Sequence, residues 1–268
     1  MKKIYKILLI SFIAGFVISC ASIVKPGFSK VKKIAIVSLQ MNKDVYLTLP
    51  NGARPLISVP LTSMVAGAES HFAGGNPFFI RLLTKADEVL KREFDGLPKK
   101  YQVISGQEVF NNPAYQQFVA QMYKGFGGDV SQTVIRTQKQ TIPGYQAVPD
   151  AGTIINSGKD HQFQKALIDL AKKLGVDGVA LVDLNVYYQH SAGLVELGSA
   201  DARVGVTMFM VNADNEEAIV GSENGGKKGP LALIGGNVLL NNDTYPMFES
   251  AMRASISDFV SAIGQKSK

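Results

Sequence analysis

The stretch "KKIAIVSLQ" at residues 32–40 sets Ile34, Ala35, Ile36, Val37 and Leu39 in a nearly unbroken apolar run behind two lysines. A strand with one wet face alternates apolar and polar side chains. A run without alternation reads as a strand buried on both faces, as in a parallel sheet. The rest of the chain has to supply cover for both sides of that strand.

Helices suited to that task follow. Asn76-Pro77 is a start signal, with Asn as the cap and Pro at the first helical position, where its missing N–H costs nothing. Phe78, Phe79, Leu82, Leu83, Ala86, Val89, Leu90 and Phe94 then repeat at helical spacing up to Gly96. "YQVIS" at 101–105 reads as a short strand, and Asn112-Pro113 opens a second helix carrying Tyr115, Phe118, Val119 and Met122. A third helix begins near residues 159–160 with Phe163, Ala166, Leu167, Leu170 and Leu174 on one face. Gly175 caps it, Val176-Asp177-Gly178 turns, and Val179 to Tyr188 reads as a strand. In the next segment Val204, Val206, Met208 and Met210 alternate with Arg203, Gly205, Thr207 and Phe209 before the turn "NADNEE", the signature of a hairpin. A last helix from about Pro246 carries Phe248, Met252, Ile256, Phe259 and Ile263.

Two stretches break this regularity. Residues 44–65 alternate around Pro-Asn-Gly and read as a hairpin-like insertion, part of an irregular region near 41–75. Residues 125–158 are polar and rich in turns, too long for a structureless connection in a compact domain, which implies a functional, partner-binding or mobile segment. Two alternatives stand for it: a lid or arm that orders on meeting a partner, or a loop packed permanently on the domain. The glycine-rich apolar segment 225–242 fits no element.

The N-terminus carries a different message. Lys2, Lys3 and Lys6 precede twelve nearly unbroken apolar residues, Ile7 to Ile18, too few for the roughly 20 that a membrane-spanning helix needs. Val17-Ile18-Ser19-Cys20 closes the run and resembles the bacterial lipobox, with the only cysteine of 268 residues as its last position. The resemblance implies a signal peptide at 1–19 and lipid attachment at Cys20, as a diacylglycerol thioether with N-acylation of the new amine. It implies an outer-membrane address too, because Ala21 is not the aspartate that retains such proteins in the inner membrane. Several acyl chains hold a protein stably where one holds marginally, so the membrane is a partner through the Cys20 lipid. Residues 20–32 would form a lipidated tether and 33–268 a single domain.

Loss of the leader lowers the formal charge from +6 to +3, which argues against nucleic acid as a partner. Within the domain, "KKIAIVSL", "LAKKLGVDGVALVDL" and "ARVGVTMFMVNADNEEAIV" resemble the curli-secretion lipoprotein family and the N-terminal domain of the Tol-system propeller protein. The resemblance covers residues 31–40 and 161–222. It implies an α/β fold, a single mixed sheet with helices packed on it, and says little about chemistry.

Candidate chemistry is sparse. "GSENGGKKG" at 221–229 approaches the phosphate-binding pattern G-x-x-x-x-G-K-[ST] through Gly221, Gly226 and Lys227, but Lys228 replaces the hydroxyl and Gly229-Pro230 replaces the helix, so a mobile basic loop is expected. His71, His161 and His190 lack partners at metal-ligand spacing, except for the adjacent Asp160-His161. Asp177 suits a turn before its strand, and Asp183 is a carboxylate beside it. Tyr187-Tyr188 either presents an aromatic surface or packs on the sheet. The expectation is a protein without catalytic residues, metal or cofactor, serving as a non-enzymatic assembly, secretion-accessory or binding factor with a protein partner or as a homo-oligomer. Its rival is a surface-exposed lipoprotein that binds host or environmental ligands.

Overall fold

The computed structural model describes residues 24–43, 45–49, 77–125, 138–157, 162–214, 216–234 and 238–266, and only the backbone of 222–227. Cys20, the leader 1–19, His71, Asp160, His161 and most of the 41–75 region lie outside the described residues.

The fold is α/β, with one seven-stranded mixed sheet between helical layers. Strand β1 (Lys33–Asn42) is followed by β2 (Tyr46–Thr48), α1 (Pro77–Asp95), β3 (Gln102–Ile104), α2 (Gly106–Val109) and α3 (Pro113–Gly125). Then come β4 (Lys139–Gln140), α4 (Ala151–Ser157), α5 (Gln162–Leu174), β5 (Gly178–Ala192), β6 (Ser199–Asn212), β7 (Glu217–Ala232) and α6 (Tyr245–Lys266). The sheet runs β3-β1-β5-β6-β7, with β2 against β5 and β4 against β1. As its unbroken apolar run requires, β1 is central and parallel to both β3 and β5, and all its residues but the terminal two are buried.

Two cores flank the sheet. α1 and α6 lie on the first face over Ile34, Ile36, Ala180, Val182 and Val204, with Phe78 edge-on to Tyr245 and Phe248 at 5.4 and 5.6 Å. α3, α4 and α5 cover the second face over Ala35, Val37, Val179, Leu181 and Phe209. The pairing of β1 with β5 slips between Ile36 and Ser38. Beyond that bulge Leu39 and Met41 belong to the first core, so Gln40 comes to stand on the second face opposite Asp183. Bulges commonly re-aim side chains in this way.

Three expectations need correction. The expected tether is part of the fold from Val24, which bridges to Ile219, and Phe28 in the turn Pro26–Lys30 is fully buried against Tyr101 at 5.2 Å. An apolar Phe and Val31 inside "ASIVKPGFSKVK" were the signal for this. Tyr46–Thr48, expected within a hairpin-like insertion, adds a parallel strand to β5 at Tyr187–Gln189, and residues 50–65 of that insertion lie outside the described residues. The expected mobile basic loop 221–229 is backbone of β7, paired along β6 with register shifts, and 225–232 of the unassigned glycine-rich segment belongs to the same strand. Glycines carried the loop reading, and the β6 partner overrides it.

Asp177 fastens the start of the sheet. Its Oδ2 accepts from the backbone N–H groups of Lys32 and Lys33 at 2.9 and 2.8 Å, while its own N–H donates to the Lys33 carbonyl at 2.9 Å. Just before it, Gly175 adopts φ +62 to end α5, a left-handed conformation that glycine takes without strain. Asp177→Ala leaves two backbone donors without their acceptor and is expected to cost about 1–3 kcal/mol. Asp177→Asn, which keeps an acceptor oxygen, should recover most of that in urea titrations.

Candidate functional site: a polar row on β5

Along the second face of β5 the apolar Val179 and Leu181 give way to Asp183, Asn185, Tyr187 and Gln189, every other residue of one strand. All four have partners from elsewhere in the chain, Asn185 and Tyr187 sharing Tyr46. Asp183, 13 % exposed, accepts from Gln40 Nε2 at 2.8 Å and from the Ala151 N–H at 2.6 Å, and its Oδ1 lies 3.7 Å from Lys139 Nζ. Asn185 exchanges hydrogen bonds with the Tyr46 hydroxyl at 3.2–3.3 Å, and the Tyr46 ring stacks on Tyr187 at 5.9 Å. Gln189 accepts from Arg203 Nη2 at 2.6 Å and donates to the Leu49 carbonyl at 3.3 Å.

The Asp183 end of the row holds down the segment 138–157. Gln40 binds Val148 as a strand neighbour would, donating to its carbonyl at 2.9 Å and accepting from its N–H at 3.1 Å. Lys139, 11 % exposed, also lies 3.5 Å from Asp150, whose Oδ1 accepts from the Thr153 N–H at 2.7 Å at the start of α4. Tyrosines add to this: Tyr115 accepts from the Gln146 N–H at 3.0 Å while donating to Val37, Tyr123 donates to the Ala147 carbonyl, and Tyr145 donates to Asp87 of α1 at 2.6 Å. Ile142 and Tyr145 sit in the first core, Ala147, Val148, Ala151 and Ile154 in the second. The described part of the long polar stretch is therefore a folded strap that crosses from one core to the other, which favours the permanently packed alternative over a lid for residues 138–157. Its apolar residues are too widely spaced to show a period.

Burial dominates the ionisation of the cluster. It pushes the Asp183 carboxyl up to about 6 against the pull of Lys139, the Ala151 N–H and Gln40, with the nearby Asp150 adding to the rise. Burial also opposes ionised Asp150, but the Thr153 N–H and Lys139 outweigh it and hold that carboxyl below its ordinary value. Desolvation raises the Tyr115 hydroxyl to about 12.

Of the sequence candidates, Asp183 is brought into this cluster and Asp177 into the β1 junction. Tyr188 is fully buried in the first core, whereas Tyr187 is half-buried on the row. His190 follows on β5, with a buried Nε2 that has no hydrogen-bond partner. Among the described residues no three His, Cys, Asp or Glu side chains gather as a metal site requires, and no helix is long and apolar enough to cross a membrane. Gln40, Lys139 and Asp150 were not singled out. The alternation in "DLNVYYQ" marks the row, but the bulge that delivers Gln40 leaves no such trace.

No family model matches the chain, and no curated protein matches it either. The resemblance to the curli-secretion and Tol proteins thus rests on residues 31–40 and 161–222 alone. Among solved structures, the lipoprotein GNA1162 of Neisseria meningitidis aligns over 85 % of this chain and 99 % of its own at 12 % identity, with a TM-score of 0.24.

A raised carboxyl makes stability fall as pH rises. Folded Asp183 holds its proton to about pH 6, whereas the unfolded chain releases it near the ordinary value of 3.8. Its contribution is therefore complete below pH 4 and lost by pH 6, at most about 3 kcal/mol at 1.36 kcal/mol per unit. Urea titrations of wild type and Asp183→Asn between pH 4 and 7 are expected to show this slope in the wild type and its loss in the variant.

Proposed function

We propose that the chain is a lipoprotein, held to a membrane through Cys20 and acting in the cell envelope by binding or assembly instead of by catalysis. The observation that carries the reading is the order of basic residues, short apolar run and lipobox ending at Cys20, four residues before Val24 joins the sheet. A leader of that length delivers a chain across a membrane without spanning it, and the cysteine supplies the thiol that a thioether-linked lipid needs. Asp183, Gln40 and Lys139 are spent on one another and on the strap, a use of buried charge that fixes structure. By the Ala21 argument the address is the outer membrane, and the partner is another envelope protein or a second copy.

The test is acylation in cells fed labelled palmitate. The wild-type chain is expected to take up label and to migrate as a shortened, membrane-bound form. Cys20→Ser should accumulate unshortened and unlabelled, and label on that variant would reject the reading.

A further inference from the structure

Among the described residues the large apolar side chains most exposed to solvent are Leu194, Leu197, Ile234 and Leu239, at 60–74 % exposure. All four stand at one end of the molecule. Leu194 and Leu197 form the tip of the β5–β6 hairpin, and Ile234 lies just past β7, next to Leu233, whose N–H donates to the Gly198 carbonyl at 2.9 Å. Leu239 follows the buried Val238, whose backbone binds the Tyr188 hydroxyl on the same half of β5. The tip is built, not loose. Gly193 turns it at φ +81, Leu197 N–H closes on the Leu194 carbonyl at 3.2 Å, and the Ser191 and Ser199 hydroxyls meet across the strands at 3.0 Å. Val195 within the tip and Leu240 next to Leu239 pack against the first core, so the exposed side chains neighbour residues that belong to it.

We propose that this end of the sheet dips into a lipid bilayer. Three observations favour hydrocarbon over a protein as the occupant. The patch is wholly aliphatic, whereas the residues that carry most of the energy of protein contacts are enriched in Trp, Tyr and Arg, with Leu under-represented. It comprises four side chains, far short of the roughly 20–30 residues a side that a stable protein interface engages. The chain outside the described residues also puts a membrane within reach: Cys20 lies at most about 14 Å of chain from Val24, which enters beside Ile219 at the other end of the sheet. β5 separates the two ends by roughly 45 Å, at about 3.3 Å per residue. A lipid at one end and an aliphatic tip at the other lay the sheet along the bilayer. The exposed Glu196 between the leucines keeps the insertion shallow, at headgroup depth. The exposure of the tip stands on its own residues, whereas the nearness of a membrane and the flat orientation rest on the Cys20 reading.

The chain contains no tryptophan, so single introduced tryptophans report their own surroundings. Leu197→Trp, Leu194→Trp and Ile234→Trp would be made in the full chain, with Lys172→Trp on α5 and Glu88→Trp on α1 as controls. Each is mixed with vesicles of phosphatidylethanolamine and phosphatidylglycerol, with and without brominated acyl chains. The tip tryptophans are expected to emit at shorter wavelength on vesicles and to be quenched by brominated lipid at least about twofold more than the controls, as burial some 5–10 Å into the interface requires. Solvent-like emission without quenching at all three tip positions overturns the proposal. So does a shift that brominated lipid leaves unquenched, which would place the tip against protein. Palmitate label on the same preparations reports the Cys20 anchor separately, so a labelled protein with a wet tip rejects the bilayer contact and leaves the anchor standing.

Discussion

β1 is the strand on which the other layers depend. Eight consecutive residues of it are buried, so water is excluded from both of its faces and every backbone group must find its partner in the sheet. β3 and β5 supply those partners from either side, α1 and α6 close one face, and α3 with α5 closes the other. A strand covered so completely fixes the order in which the rest can pack. The Asp177 carboxylate at its entrance meets that need with a side chain, and the Gln40 side chain near its exit does the same for the backbone of Val148 in the strap.

The second face is where apolar packing stops short. The helices reach only the first half of β5, and beyond Leu181 the strand turns to Asp183, Asn185, Tyr187 and Gln189. Burying a carboxylate is expensive unless donors surround it. Here Gln40, the Ala151 N–H and Lys139 do so, and two of those three come from the strap 138–157. Position is what the cluster gains in return. Removing any one partner leaves a buried polar group without its match, so the strap has one register over the sheet. Glycines and polar residues, which favour loops locally, are thereby held as fixed structure.

Legibility followed how local the determining forces were. Helix α1 could be read from Pro77 and the spacing Phe78, Leu82, Ala86, Val89, Leu90 because one face of one helix carries the whole signal. The β6–β7 hairpin was readable for the same reason, from the alternation of Val204, Val206, Met208 and Met210 and the turn that follows. Phe28, the strap and the distal half of β7 were not, because each is held by residues far away in sequence: Tyr101 for Phe28, Gln40 and Asp183 for the strap, and β6 for the glycine-rich strand. The polar row lay between these cases. Its period of two is written in residues 183–189, but its partners depend on a one-residue slip in β1 that no period records.

Residues 138–157 are held on the sheet by their own chain and stay there without a partner. Native-state hydrogen exchange at Val148 and Ala151 tests it most directly, since their N–H groups donate to Gln40 and Asp183. In the isolated protein both amides should be protected nearly as well as those in the middle of β1, because opening them exposes the buried carboxylate. Exchange at the rate of an unstructured loop, with β1 still protected, would contradict this and make the strap a segment that waits for something else to hold it.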